Sequence, residues 1–354
     1  MSQHVEAVIV AGGFGTRLLP LTAHRPKHLL NVGGVPFLEH QIARLAQAGV
    51  GHVVLATSYR AELFEPVLGD GSRWGVRLDY VEEEEPLGTA GAIRNVAGSL
   101  RPDPDGAVVI VNGDILSGHD LRAQLTDFER PRAGRLADVS LHLVEVDDAR
   151  AFGCVPTDGD GRVTGFVEKS ASPVTNQVNA GCYVFRRRVV DEIPVGREVS
   201  VERETFPTLL EEGWLVVGYV DTAYWRDVGT PEALVAASRD LVLGVVGSPA
   251  VSGPTGEAWI ADDAAVAADA VVDGGSVVGR RVRVGPGARV SGSVLMCDAV
   301  VGRDASVVDS VLGPGAEVGH GAEVLRVTLG DGARVAAGAR VSGARVECGE
   351  QVGS

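Results

Sequence analysis

Aromatic residues make up only 5% of this 354-residue chain, and its four cysteines lie far apart. Cys154, Cys182, Cys297 and Cys348 show no C-x-x-C spacing and are too few for a disulfide framework, so a reducing, cytoplasmic setting is expected. Basic residues are also scarce. With 32 of them against 47 acidic ones the formal charge is −15, which excludes a nucleic-acid or anionic-membrane surface as the main partner. Any phosphate bound here needs locally placed Lys, Arg, backbone amides or metal. Long apolar runs are missing too: Ala233 to Val246 is broken by Arg239 and Asp240, and Met1 to Glu6 lacks the basic and apolar regions of a signal peptide. Of eight histidines only His24 and His28 stand four apart, and Pro26 between them disfavours a shared helical metal face. No Gly-x-Ser-x-Gly elbow is present, and Glu82 to Glu85 at a strand end points to alternate faces, as solvated carboxylates do.

What is present divides into two styles. From Val5 to about Val220, short apolar runs alternate with amphipathic segments, the pattern of a mostly parallel sheet covered by helices. Ala7 to Ala11, His52 to Ala56, Leu78 to Val81 and Val108 to Val111 read as strands. Phe37 to Ala48 reads as a helix with Leu38, Ile42 and Leu45 on one face and Gly49 as its stop. Arg162 to Val167 and Cys182 to Phe185 are expected as further strands.

Beyond about residue 250 the aromatics nearly vanish and a repeat takes over. Val266, Val272, Val278, Val284 and Val290 are six apart; then Val290, Val307, Val324 and Val341 are 17 apart. The rows Val284/Val301/Val318/Val335 and Leu295/Leu312/Leu329/Val346 share that period, as do Ala288, Ala305, Ala322 and Ala339. Three apolar rows on one period predict a three-sided parallel coil with glycine or another small residue at its corners. Such turns resemble the left-handed parallel β-helix of hexapeptide-like repeats. The expected division is a Rossmann-like domain over 1–235, a helical linker over 236–258 and the coil over 259–354.

The chemistry-bearing segment follows the first strand: Gly12-Gly13-Phe14-Gly15-Thr16-Arg17-Leu18, then Pro20-Leu21-Thr22, then Pro26-Lys27. Glycines allow a tight loop to approach phosphates closely, and Arg17 and Lys27 supply charge. The segment has neither the third glycine of a dinucleotide fingerprint nor a P-loop ending. It resembles the signature GGxGTRLxPLT…PK of the sugar-1-phosphate nucleotidyltransferases, enzymes that join a nucleoside triphosphate to a sugar-1-phosphate and release pyrophosphate. The resemblance continues through Glu85-Pro86-Leu87-Gly88-Thr89-Ala90-Gly91, Asn112-Gly113-Asp114, Phe152-Gly153, Glu168-Lys169, Asn179-Ala180-Gly181 and Trp225-Arg226-Asp227-Val228-Gly229-Thr230-Pro231.

The resemblance implies roles by residue. Ala11, Gly12, Gly13, Gly15, Thr16, Glu83, Gly88, Thr89, Asn112 and Gly113 are expected to bind the nucleotide, with Glu83 and Gly88 facing the base. Gly153, Glu168, Lys169, Asn179 and Gly181 are expected around the sugar phosphate. Arg17, Lys27, Asp114, Lys169 and Asp227 are the expected catalytic set, with Asp114 and Asp227 holding Mg²⁺, a hard cation that selects oxygen ligands. Read singly, Asp114 is also a common turn residue and Lys169 an ordinary surface lysine.

Arg150 to Thr157 and Asn179 to Tyr183 look most like bacterial mannose-1-phosphate guanylyltransferases, which implies GTP and mannose-1-phosphate. Asn31 stands where the family pattern has proline and Leu19 where arginine is frequent. These departures keep open another hexose, a heptose or a cyclitol phosphate, with GTP, UTP, dTTP or ATP. Some relatives carry an acyltransferase in the coil, but His320 is the only histidine after His142 and the repeat has no long insertion. A packing or homo-oligomerisation role for the coil is expected instead. A non-catalytic regulatory subunit is the remaining alternative, disfavoured by the intact Arg17, Lys27, Asp114, Lys169 and Asp227.

Overall fold

The runs Ala7 to Ala11, His52 to Ala56, Leu78 to Val81, Val108 to Val111 and Cys182 to Phe185 each lie within a strand. In the computed structural model, which describes residues 5–151, 153–167, 171–251 and 256–353, seven strands form the main sheet: β1 (Glu6–Ala11), β2 (His52–Thr57), β3 (Arg77–Glu82), β4 (Ala107–Asn112), β5 (Val139–Glu145), β6 (Gln177–Arg186) and β7 (Val216–Asp221). Their order is β7-β5-β6-β4-β1-β2-β3. β1 runs parallel to β2 and β4, β2 to β3, and β5 to β7, while β6 is antiparallel to both neighbours. The sheet is therefore mixed but mostly parallel and Rossmann-like. Val8, Val54, Ile110, Leu141 and Phe185 are buried in its core with Ile93 from the helix Gly88–Asn95.

The helix Phe37–Gln47 ends as its sequence says, with Gly49 at φ 96°, a conformation that glycine adopts without steric cost. One expected strand is absent. Residues 162–167 make only isolated bridges, Thr157 to Val163, Cys154 to Val167 and Arg162 to Val217, because successive residues turn to different partners around Gly161 and Gly165.

Contacts group the chain into two discontinuous units, Met1–Gly13 with Ile42–Trp225, and Phe14–Gln41 with Arg226–Ser354. The second unit contains the coil. Its strands stack into three all-parallel sheets of six, six and five strands, consistent with a left-handed β-helix. The first turn advances 18 residues, pairing Val266 with Val284, and later turns advance 17, pairing Val290 with Val307 and Val324 with Val341. Inside, Val284, Leu295, Val307, Val318 and Leu329 are among the side chains stacked in one apolar column.

The corners differ from expectation. Small residues do not hold all of them: Arg281, Asp298, Asp304, Asp309 and Arg326 adopt positive φ alongside the glycines. Asp tolerates this conformation better than bulky residues do, and Arg281 with Asp298 forms an ion pair of 2.7 Å between neighbouring turns. A further row, Ser276, Ser293 and Ser310, is buried at one corner. Each hydroxyl accepts from the backbone N–H one turn on, Ser293, Ser310 and Val327 respectively, at 3.2, 3.1 and 3.0 Å.

Candidate functional site

Parallel strands aim their carboxyl ends at one edge of a sheet, where backbone groups are free for ligands. At that edge β1 to β4 deliver Gly12–Gly13, Ser58, Glu83 and Asn112–Asp114. A Cβ on Gly12 would sit 3.3 Å from Ser58 Oγ and 3.9 Å from Glu83 Oε1, so the loop passes close over both. Gly13 N–H donates to Ser58 Oγ at 3.4 Å, and Gly113 N–H donates to the Val10 carbonyl at 2.9 Å. Ala11, buried, is the last residue of β1.

Glu83 is 7% exposed, and burial raises its carboxyl above the usual range while the Leu87 amide opposes that shift. Leu87 N–H donates to Oε2 at 3.2 Å; Oε1 is buried with no hydrogen-bond partner. A buried polar atom without a partner is costly, and a donor brought by a ligand would relieve it. Gly88 has φ 69°, and a Cβ there would meet the Val199 carbonyl at 2.7 Å. Ala90 N–H donates to that same carbonyl and Val201 N–H to Thr89 Oγ1. Gly88 and Thr89 thus clamp the start of the helix Gly88–Asn95 to residues 199–201.

Around β6 the structure places Asn179 and Gly181 within the strand Gln177–Arg186, which starts ahead of the Cys182 expected from the sequence. The register shifts between Leu141 and Leu143, the mark of a β-bulge. Gly181, at φ 72°, absorbs it, and a Cβ there would lie 2.8 Å from Asn112 Nδ2. Asn179 Nδ2 donates to Tyr183 Oη at 2.8 Å and to Glu202 Oε1 at 2.6 Å, while Oδ1 accepts from Gly181 N–H. Tyr183, fully buried, has its phenol pushed up chiefly by that burial. Gly153 lies beside this region, with Val167 O 3.2 Å from where its Cβ would be. Glu168, Lys169 and Phe152 lie outside the described residues. Asp114 occupies the turn between β4 and the short strand Ile115–Ser117.

The signature turn belongs to the second unit. Gly15 (φ 62°) precedes a 3-10 turn over Thr16–Leu18, and Thr22 Oγ1 donates to the Gly15 carbonyl at 2.9 Å. A Cβ on Gly15 would be 3.0 Å from Lys27 Cβ. The motif's fixed offset between Gly-Thr-Arg and Pro-Lys is thus a packing requirement. Arg17 Nη2 lies 3.5 Å from Asp227 Oδ2, and Gly229 leaves room for the guanidinium, since a Cβ there would clash with Nη2. Asp227 Oδ1 is buried without a hydrogen-bond partner. A spare carboxylate oxygen of this kind fits a hard divalent cation. Among the described residues no group of three His, Cys, Asp or Glu side chains is arranged for a metal.

Within each unit, then, the structure sets Gly12 beside Ser58 and Glu83, bonds Gly13 to Ser58, joins Gly181 to Asn179 and Asn112, packs Gly15 against Lys27 and pairs Arg17 with Asp227. Ser58, Tyr183, Glu202 and Gly229 take part without having been singled out as binding residues. Ser58 follows a strand end, a cue the sequence does carry; Glu202 has none.

A profile of the family described as nucleotidyl transferase matches residues 6–242, and one described as the GMPPB C-terminal domain matches 254–353. The chain is 54% identical over 297 residues to the mannose-1-phosphate guanylyltransferase of Mycobacterium tuberculosis, covering 83% of this chain and 81% of that one. It is 32% identical to the probable mannose-1-phosphate guanylyltransferase 1 of Oryza sativa, over 84% of this chain and 81% of that relative. Among solved structures it resembles HddC from Yersinia pseudotuberculosis complexed with GMP-PN, with a TM-score of 0.56 and 28% identity over 66% of this chain and 97% of that one.

Proposed function

The chain belongs to the nucleotidyl transferase family, and from that premise we propose that it transfers GMP from GTP to mannose-1-phosphate, giving GDP-mannose and pyrophosphate. The observation that carries the choice of base is Glu83: its Oε1 is buried and lacks a partner. Guanine offers N1–H and N2–H donors on one edge, whereas adenine offers an acceptor at N1. The relatives named for mannose-1-phosphate support the choice of sugar.

In this reading the sugar phosphate attacks without a general base, because its oxygen is already anionic. That oxygen bonds to the α-phosphorus of GTP as the bond to the bridging oxygen breaks, and pyrophosphate leaves with the electron pair. The protein contributes position and charge. Gly12, Gly13, Gly15 and Thr16 offer backbone amides to the phosphates. Arg17 and Lys27 neutralise the leaving pyrophosphate; Lys169 meets the incoming phosphate; Glu168, Asn179, Gly181 and Gly153 orient the sugar. Asp114 and Asp227 would hold Mg²⁺, which when bound offsets negative charge on the phosphates.

The functional division we propose is a catalytic domain over 1–235, a linker over 236–258 and the coil over 259–354, supported by family matches over 6–242 and 254–353. A cytoplasmic site of action accords with four free cysteines, and no helix among the described residues is long and apolar enough to cross a membrane. A homo-oligomer built through the coil completes the reading. The test is pyrophosphate release over a matrix of triphosphates and sugar-1-phosphates, with Mg²⁺ and with chelator. GTP with mannose-1-phosphate is expected to lead the matrix and chelator to abolish turnover; preference for another pair would refute the substrate assignment.

A further inference from the structure

One corner of the coil repeats every 17 residues as Arg280, Cys297, Pro314, Asp331 and Cys348. Backbone bonds stack the row: Gly315 N–H donates to the Cys297 carbonyl at 3.0 Å, Gly332 to Pro314 at 2.8 Å and Gly349 to Asp331 at 2.8 Å. Such a corner needs no polar side chain for its own stability. Yet two residues of this row bond to the signature segment, which lies in the same compact unit.

Arg25 grips Asp331 with both terminal nitrogens, at 3.0 and 2.5 Å, the paired geometry that fixes orientation as well as distance. The same guanidinium donates to the Leu21 carbonyl at 3.3 Å. Cys348 Sγ lies 3.7 Å from the Pro20 carbonyl, a weak donor contact. From the adjoining strand Arg345–Val346, Arg345 Nη1 donates to the carbonyls of Arg17 at 2.8 Å and Leu19 at 3.3 Å. These carbonyls close the 3-10 turn over Thr16–Leu18, where backbone acceptors lack partners within the turn and a cation is favourable.

We propose that Arg345 and Asp331, some 300 residues along the chain from the loop they touch, are positioning residues for the triphosphate. They hold the backbone from Arg17 to Arg25 so that the Arg17 guanidinium is presented at a fixed angle. The coil is then part of the catalytic apparatus, not only a packing domain. Neither residue touches a reacting atom. They act by removing freedom from a turn whose side chain does, the preorganisation that catalysis by charge placement requires.

The inference rests on Arg17 serving GTP, as in the proposed function, so two separate readouts are needed. In the full-length protein, Arg345→Ala and Asp331→Asn are expected to raise KM for GTP about 5- to 20-fold while KM for the sugar phosphate stays within about twofold. Arg345→Lys should recover most of the loss, and exchanging the charges in an Arg25→Asp/Asp331→Arg double variant should recover part of the Asp331→Asn loss. Hydrogen exchange reads the turn without reference to turnover: the amides of Leu18 and Leu21, which bond to Gly15 and Leu18 carbonyls at 2.9 and 3.0 Å, should exchange faster in Arg345→Ala. Unchanged exchange at both amides would overturn the proposal even if the wild type proved inactive on GTP. Unchanged KM for GTP in an active enzyme, or an equal rise for both substrates, would overturn it as well.

Discussion

Replacing Glu83 by Gln tests the base assignment with little change in side-chain volume. Leu87 N–H already bonds to Oε2 at 3.2 Å, so a glutamine must turn its carbonyl oxygen toward that amide and its NH₂ toward the vacant position of Oε1. Two donors of guanine would then face a third donor. A hydrogen bond to a charged acceptor is worth about 1.5–3 kcal/mol, and leaving donors unpaired in a buried site adds to the loss. Since about 1.4 kcal/mol is tenfold, kcat/KM for GTP should fall roughly 10- to 150-fold. ITP, which lacks the N2 amino group, should lose less, and ATP, with an acceptor at N1, should lose least. Pyrophosphate release with the three triphosphates at fixed sugar phosphate gives these ratios. An unchanged GTP/ATP ratio in Glu83→Gln would refute the reasoning, because a general defect lowers all three alike.

Removing the Asp227 carboxylate in Asp227→Ala deletes both its vacant oxygen and the partner of Arg17; turnover should drop about 10²- to 10³-fold, and the Mg²⁺ concentration needed for half-maximal rate should rise. Gly181→Ala forces a side chain into positive φ and within 2.8 Å of Asn112 Nδ2, so a loss of about 1–3 kcal/mol in denaturant unfolding should accompany a fall in activity. Ser293→Ala leaves the Ser310 N–H without its 3.1 Å acceptor inside the coil, and about 1–3 kcal/mol of stability should vanish in urea titrations with GTP kinetics unaffected. His119 is held neutral to about pH 3, first by burial and then by the stacked His142. Its unfolded form titrates near 6.5, so stability present above that pH is lost as pH falls toward 3, about 2 kcal/mol by pH 5. His119→Asn should flatten that pH dependence of unfolding.

The sequence by itself determined whatever depends on periodicity and on neighbours in the chain. Alternating apolar runs named β1 to β4, since a buried strand needs a continuous apolar stretch wherever it pairs. The 17-residue rows named the coil, because each turn must offer the same face to the next. Local motifs also carried the signature turn, as Gly15 and Lys27 pack together within one short segment of chain.

Tertiary structure decided what depends on partners remote in sequence. Residues 162–167 look like a strand but share their bridges among several segments. Asn179 lies inside a strand because a bulge at Gly181 lets it, and its bonds to Tyr183 and Glu202 could not be read from spacing. The link from Arg345 to the Arg17 carbonyl spans 328 positions. No local pattern encodes such a contact, since its energy arises only once the coil has stacked and the turn has closed.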